Sequence, residues 1–308
     1  MVSNVDMSVD LAGIKLKNPI NTASGTYGYG WQFESFYDVS QLGAITTKGC
    51  AAEAWPGNPA PRMTEVTSGM MNSVGLQNPG VRGLIEGSGE YLQELSDKGT
   101  AVICQVAGHS VEEYVAAVEL FEELAPFAAG LEINISCPNI AAGGCAMGST
   151  PEGAAEVIRA VRPHTKKPLL VKMAPARVVD VAKALEAEGA DARTVINSIP
   201  GMAIDVNTRR SKLSRPTGGM SGPALHPIAV RMVWEVHNAV SLPIVGVGGV
   251  MTGADAAEFI LAGATSVSVG MANLVDPMAA PRILGELTEW AESQGVSSIS
   301  ELIGAFEG

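Results

Sequence analysis

The sequence predicts an α/β fold, a (β/α)8 (TIM) barrel with inserted loops and an N-terminal hairpin. Two observations carry this. Short apolar runs rich in β-branched residues recur with helical patterns between them, which implies a parallel sheet with right-handed crossovers. Eight such units fit within 308 residues, and a closed barrel of this kind takes about 250. The 35 glycines and low aromatic content suit many tight strand-to-helix turns. A single domain over residues 1–308 is expected, with no linker, low-complexity tract or second domain. A doubly wound open sheet is the alternative. The VGVGGV run at residues 245–250 is not the G-x-G-x-x-G fingerprint after a first strand, so a Rossmann dinucleotide site is poorly supported.

In chain order, a hairpin is expected over residues 7–17. The eight barrel strands are expected at residues 19–24 (PINTAS), 44–48 (AITTK), 101–107 (AVICQVA), 131–136 (LEINIS), 168–173 (PLLVKM), 194–198 (TVINS), 243–247 (PIVGV) and 266–270 (SVSVG). Helical patterns cover residues 111–124, 152–161, 178–188, 227–240 and 253–262. Two long segments interrupt the rhythm. Residues 49–97 begin with proline- and glycine-rich sequence, and residues 199–223 are polar, with Arg209, Arg210, Lys212 and Arg215. Loops of such length are usually functional.

The net charge is −12. This argues against nucleic acid or an anionic membrane as partner, while leaving room for a local basic pocket. No run of about 18 apolar residues is present, so no transmembrane helix is expected. The first residues lack the pattern of a signal peptide. The four cysteines show no paired spacing, so neither a disulfide framework nor a C-x-x-C metal pattern is expected. His109, His164, His226 and His237 are scattered, without metal-ligand spacing. No metal is therefore expected, and a reducing, cytoplasmic location is the simplest inference.

The stretch at residues 131–148, LEINISCPNIAAGGCAMG, holds the strongest chemical signal. Leu131, Ile133 and Ile135 alternate with Glu132, Asn134 and Ser136, the period of a strand. Pro138 then ends it. Cys137 is thus expected at a strand end, under a loop with Gly143, Gly144 and Gly148. Thr150, Pro151 and Glu152 have the order of cap, first turn and dipole partner of a helix. Free cysteine most often packs as a small hydrophobe. A glycine-bracketed loop is a poor place to bury sulfur, so Cys137 is read as the reacting group, with Cys145 as competitor. Cys50 and Cys104 read as structural.

Barrel active sites gather at the C-terminal strand ends. Those ends carry Ala23-Ser24, Lys48, Gln105, Asn134, Lys172, Asn197-Ser198, Gly248-Gly249 and Gly270. Lysine inside an apolar strand is rarely unpaired, because burying a bare charge is costly. The glycine turns after strands seven and eight suit phosphate, since backbone N–H groups can approach it closely. A site with phosphate contacts, carboxamides and lysines reads as one for a phosphorylated ligand, with flavin mononucleotide (FMN) among the candidates.

These residues also carry a resemblance. NPINTASGTYG (residues 18–28), TTKG with Lys48, GNPAPR (57–62), MNSVGLQNPG (71–80), NISCPN (134–139), VKM with Lys172, VINS (195–198), GGMSGPA (218–224), VGVGGV and SVGMAN occur in order over nearly the whole chain. Together they resemble the class 1 dihydroorotate dehydrogenases, most of all the NAD-linked class 1B catalytic subunit. The resemblance implies an FMN barrel oxidising dihydroorotate to orotate in pyrimidine synthesis. Cys137 would be the base at C5. Lys48, Asn72, Ser73, Val74, Gly75, Leu76, Asn134, Asn197 and Ser198 would bind substrate. Ala23, Ser24, Thr47, Lys48, Gln105, Asn134, Lys172, Ile196, Gly222, Gly248, Gly249, Gly270 and Met271 would contact FMN. It also implies a homodimer joined to an electron-transfer subunit with FAD and a [2Fe-2S] cluster, a heterotetramer. Four dispersed cysteines cannot themselves hold such a cluster.

Two departures stand out. Gln105 occupies a position where the family pattern has asparagine, and Cys145 and Met147 are unusual in the loop. In dihydropyrimidine dehydrogenases the acid thiol lies on that loop, which makes such an enzyme one alternative. A fumarate-reducing class 1A-like enzyme is another. A cofactor-free phosphate-binding barrel using Lys48 or Lys172, and a non-catalytic scaffold barrel, are the readings from other classes.

Overall fold

The computed structural model describes residues 5–136 and 147–308. The chain opens with a hairpin, β1 (Val9–Leu11) against β2 (Ile14–Leu16). Val9, Leu11, Ile14 and Leu16 are buried while Asp10 and Lys15 are exposed, so the period-2 pattern places one face inward. The turn needs left-handed backbone at Ala12 and Gly13, with φ of 55° and 87°, a conformation that glycine adopts without steric cost.

The strand–helix rhythm follows. β3 (Ile20–Thr22) and β4 (Ala44–Thr46) precede a second hairpin, β5 (Met63–Val66) and β6 (Gly69–Asn72). Then come α1 (Gly80–Asp97), β7 (Ala101–Val106), α2 (Val111–Leu124), β8 (Ala128–Asn134), α3 (Pro151–Val161), β9 (Leu169–Lys172), α4 (Val178–Ala187) and β10 (Ala192–Val195). Four short strands follow, β11 (Ile199–Gly201), β12 (Ile204–Asp205), β13 (Arg210–Ser211) and β14 (Gly218–Ser221). The last units are α5 (His226–His237), β15 (Ile244–Val247), α6 (Gly253–Leu261), β16 (Ser266–Val269), α7 (Ala272–Val275) and α8 (Ala279–Ser293).

Eight parallel strands hydrogen-bond in the order β3-β16-β15-β10-β9-β8-β7-β4. The two ends of this sheet approach each other. Gly43 N–H donates to the Ile20 carbonyl at 3.0 Å, and Thr46 N–H to Thr22 Oγ1 at 3.3 Å. The sheet is therefore a nearly closed barrel, as expected from the eight repeats. Leu131, Ile133, Val171 and Val195 are fully buried between strands and outer helices. The alternate residues Gln105, Glu132, Asn134 and Thr194 hydrogen-bond to one another across the interior. Helix starts follow their capping signals. Ser110 accepts from Glu113 N–H and Thr150 from Gly153 N–H, while Thr252 and Asp255 form a capping box.

The structure corrects the reading of the two long segments as loops. Residues 49–97 contain the 18-residue helix α1, whose buried Val81, Leu84, Ser88, Leu92 and Leu95 recur at helical spacing. Gly83, Gly87 and Gly89 lower its local propensity and hide it. Residues 63–72 and 199–221 pair into one antiparallel sheet, order β11-β14-β6-β5, with Gly219 opposite Asn72 and Ile199 opposite Met220. Strands also end sooner than expected. β4 stops at Thr46, β8 at Asn134 and β10 at Val195, so Lys48, Ser136, Asn197 and Ser198 lie on the loops beyond. Among the described residues no helix is long and apolar enough to cross a membrane.

Candidate active site

The barrel strands and the four-stranded sheet enclose a cavity of about 1290 Å³. Ala23, Ser24, Lys48, Asn72, Ser73, Val74, Gly75, Leu76, Gln105, Asn134, Lys172, Ile196, Asn197, Ser198, Gly222, Gly248, Gly249, Gly270 and Met271 all line it. These come from segments up to 248 positions apart (271 − 23), so the fold collects what the sequence disperses. Thr47 does not line it. Its side chain is fully buried and its hydroxyl accepts from Gln105 N–H at 3.2 Å, supporting the wall from behind. Cys137 and Cys145 lie outside the described residues. Ser136, the chain neighbour of Cys137, lines the cavity.

One wall is a chain of hydrogen bonds. Ser24 Oγ–H donates to Gln105 Oε1 at 2.7 Å, and Asn134 Nδ2–H donates to the same oxygen at 3.2 Å. Gln105 Nε2–H donates to Glu132 Oε1 at 2.6 Å, and the Thr194 hydroxyl donates to the other Glu132 oxygen. Ser136 Oγ–H donates to Asn134 Oδ1 at 2.6 Å, and Asn197 Nδ2–H donates to Ser136 Oγ. Buried polar groups linked this way are fixed in orientation, because breaking any link strands a donor or acceptor. The carboxamides of Asn134 and Asn197 are thus held at defined angles.

The electrostatics favour an anion. Lys48, Lys172 and Arg215 line the cavity, and among the described lining residues there is no aspartate or glutamate. This holds in a chain of net charge −12. Lys172 is only 5% exposed, and no hydrogen bond or ion pair joins its ammonium to the side chain or main chain of another described residue. Buried Arg193 shows the contrast. Its guanidinium faces helix α4, donates to the Ala182 carbonyl at 2.8 and 3.2 Å, and burial pulls its pKa down to about 10. Arg193 is thus tied to the scaffold, whereas Lys172 presents its charge to the cavity.

A second wall is built of glycines. Gly222, Gly248 and Gly249 have φ of 125°, 145° and 69°. A Cβ on Gly249 would lie 2.7 Å from the Gly222 carbonyl and 2.8 Å from His226 N. Only glycine permits this close crossing of backbones. It leaves main-chain groups and the start of α5 beside the cavity, an arrangement suited to phosphate. Sulfur elsewhere is inert by comparison. Burial pushes the Cys50 thiol up to about 11 and drives Cys104 higher still, both being free thiols.

Several contributors were missed from sequence. Glu132 sits on the polar face of β8, two residues from Asn134, and that alternation was the available signal. Arg215 belongs to the polar insertion and donates to Asn58 Oδ1 at 3.2 Å; Asn58 in turn donates to Ser73 Oγ at 3.0 Å. Trp55 and His109, also in the wall, pack against each other with ring centroids 3.7 Å apart and planes tilted by 32°. Nothing in their spacing announces that pairing.

Known proteins match this chain throughout. A family model described as dihydroorotate dehydrogenase matches residues 6–290. A protein of Geobacter metallireducens named dihydroorotate dehydrogenase B (NAD(+)), catalytic subunit, is 46% identical over 98% of this chain and 98% of its own length. One of Geotalea uraniireducens with the same name is 48% identical over 97% of this chain and 98% of its own. A crystal structure from Eimeria tenella, titled DHODH in complex with ferulenol, superposes with TM-score 0.81 at 20% identity. It covers 97% of this chain and 88% of that one, and supports the barrel fold. With the sequence matches spanning barrel, inserted sheet and cavity alike, the chain belongs to the dihydroorotate dehydrogenase family.

Proposed function

We propose that this chain is the catalytic subunit of an NAD-linked dihydroorotate dehydrogenase, with dihydroorotate as substrate and FMN as its cofactor. The observation that carries the reading is the cavity's charge. Lys48, Lys172 and Arg215 surround it without a described carboxylate, which suits a ligand phosphate and a substrate carboxylate. The cavity fits FMN on two counts: a buried ammonium at Lys172 with no partner among the described residues, and a glycine cradle at Gly222, Gly248 and Gly249 that any Cβ would fill. Ala23, Ser24, Gln105, Ile196, Gly270 and Met271 would hold the remainder, with Thr47 steadying Gln105 from behind.

What FMN supplies when bound is an acceptor for the hydride from C6 of dihydroorotate. The chain's own residues do the rest. Cys137 removes the proton from C5. A free thiol titrates near about 8.5, so an anion-stabilising, water-poor setting is what makes it a useful base. The cationic wall provides such a setting, and Ser136, the residue before Cys137, lines it. Lys48, Asn72, Asn134, Asn197 and Ser198 bind the substrate's carboxylate and ring amides, with Ser73, Val74, Gly75 and Leu76 adding main-chain contacts. Asn134 and Asn197 enter that task already oriented through Ser136, which lowers the ordering cost of binding.

The relatives' name speaks of a catalytic subunit acting with NAD(+). The proposed partner carries FAD and a [2Fe-2S] cluster, for which the spacing of this chain's four cysteines offers no ligand motif. Exposed Met202, Ile204 and Val206 on the β11–β13 insertion suit a homodimer contact. The free thiols Cys50 and Cys104 suit the cytoplasm. The test is orotate formation by the purified chain. Orotate should appear with an artificial electron acceptor, and NAD+ should be reduced only after the partner subunit is added. Turnover with fumarate alone would move the chain to the partner-free class, and no orotate with any acceptor would refute the reading.

A further inference from the structure

His226, Asp255 and Glu258 converge behind the Gly248–Gly249 turn, outside the residues assigned above. His226 opens α5, while Asp255 and Glu258 lie one turn apart at the start of α6. His226 Nδ1 is 3.1 Å from the Gly248 carbonyl oxygen. A carbonyl oxygen only accepts, so Nδ1 carries the proton and donates it. In the neutral ring this leaves a lone pair on Nε2. That nitrogen lies 3.8 Å from Asp255 Oδ1 and 3.4 Å from Glu258 Oε2. The His226 side chain is 9% exposed. Its Nε2 is buried and has no hydrogen-bond partner among the described residues.

A lone pair and two carboxylate oxygens facing one another repel unless a cation sits among them. A proton on Nε2 would answer this at charge-assisted distances of about 2.8 Å, shorter than both separations seen here. The 3.4 Å separation from Glu258 matches a metal better, and the 3.8 Å separation from Asp255 closes with a small turn of that carboxylate. Two bonds of about 2.1 Å meeting near the tetrahedral angle place their donor atoms about 3.4 Å apart. All three candidate donor atoms lie within 4.8 Å of one another.

The surroundings fit as well. Asp255 Oδ2 is engaged, accepting from the Met251 and Thr252 N–H groups at 2.8 Å each, which leaves Oδ1 free to turn toward His226. Glu258 is 59% exposed and gives an ion a route in from solvent. Histidines that bind metal characteristically donate their other ring N–H to a carbonyl or carboxylate, as His226 does to Gly248. Phe259 packs edge-on against the imidazole at 5.1 Å and fixes its plane.

We propose that His226, Asp255 and Glu258 bind one divalent transition-metal ion, Zn2+ foremost. An imidazole in the set disfavours Mg2+ and Ca2+, which take oxygen ligands. Water completes the coordination. The ion anchors His226 and, through Nδ1, the Gly248 carbonyl, so occupancy stiffens the glycine turn at the edge of the cavity. The three residues are 29 and 32 positions apart (255 − 226 and 258 − 226), which is why the scattered histidines gave no metal spacing. The proposal does not depend on which substrate the cavity takes.

The experiment is calorimetric titration of the purified, cofactor-loaded protein with Zn2+ after chelator treatment and dialysis. One Zn2+ per chain is expected, with a higher thermal midpoint when bound. Glu258→Gln should weaken binding by more than about tenfold, and His226→Gln should abolish it. Glu258 is exposed, so its variant keeps the test open if His226→Gln disturbs the fold. No uptake by the wild type, or equal uptake by wild type and Glu258→Gln, overturns the proposal.

Discussion

Gln105 Nε2 donates to Glu132 Oε1 at 2.6 Å inside the barrel, while Gln105 Oε1 accepts from both Ser24 and Asn134. The glutamine thus spans the distance between a buried carboxylate and the cavity wall. This gives a physical reason for a glutamine rather than an asparagine at this position. The longer side chain reaches Glu132 without withdrawing its oxygen from Ser24.

Gln105→Asn should therefore destabilise the protein. The shorter amide cannot serve both sides, and a buried acceptor left without its donor costs about 1–3 kcal/mol. Urea denaturation should show the loss, together with weaker retention of flavin. An unchanged midpoint would mean that Glu132 finds its donor elsewhere.

The barrel was legible from sequence because its signal is local. Alternation along Leu131 to Asn134 sorts outer apolar residues from inner polar ones within a few positions, and Lys172 stands out in an apolar strand. The four-stranded sheet was not legible, because Asn72 and Gly219 pair across 147 residues (219 − 72) with no local mark. Helix α1 was hidden by its glycines. The hydrogen-bonded wall was half legible: Ser24, Gln105 and Asn134 stand at strand ends, whereas Glu132 reads only as one polar position in the alternation of β8.

Gly249→Ala and Gly270→Ala should differ. At Gly249, with φ of 69°, a Cβ meets the Gly222 carbonyl at 2.7 Å. The left-handed backbone alone costs about 1–2 kcal/mol with a side chain, and the backbone crossing would have to open. At Gly270 a Cβ meets only Ala23 Cβ at 3.5 Å, ordinary contact. Gly249→Ala should lose several degrees of thermal midpoint and most of its flavin, while Gly270→Ala should keep its midpoint. Equal behaviour of the two would remove the glycine cradle from the account.

Cys137→Ser should slow flavin reduction by dihydroorotate about 10²- to 10⁴-fold, the range for losing a positioned general base, and Cys145→Ser should leave it within a factor of a few. The thiolate is the active form, so the wild-type rate should rise with pH and then level off. The serine variant should lose that inflection below pH about 10, since its hydroxyl does not ionise there. Stopped-flow absorbance across pH checks both points.

Thiol reactivity should sort the cysteines. Burial raises the Cys50 thiol to about 11 and Cys104 further, so the unreactive neutral form dominates at both at pH 8. Iodoacetamide on the folded protein should leave these two unmodified, and dihydroorotate should protect Cys137. Peptide mass spectrometry would show it. Rapid labelling at Cys104 would contradict the packed barrel.

The central claim is that this cavity oxidises dihydroorotate with its own flavin. The most direct measurement is the visible spectrum of the purified chain before and after anaerobic addition of dihydroorotate. A flavin band that bleaches in step with added substrate, without any partner subunit, is expected. A flavin band that stays unchanged, or no band even after reconstitution with FMN, would contradict it.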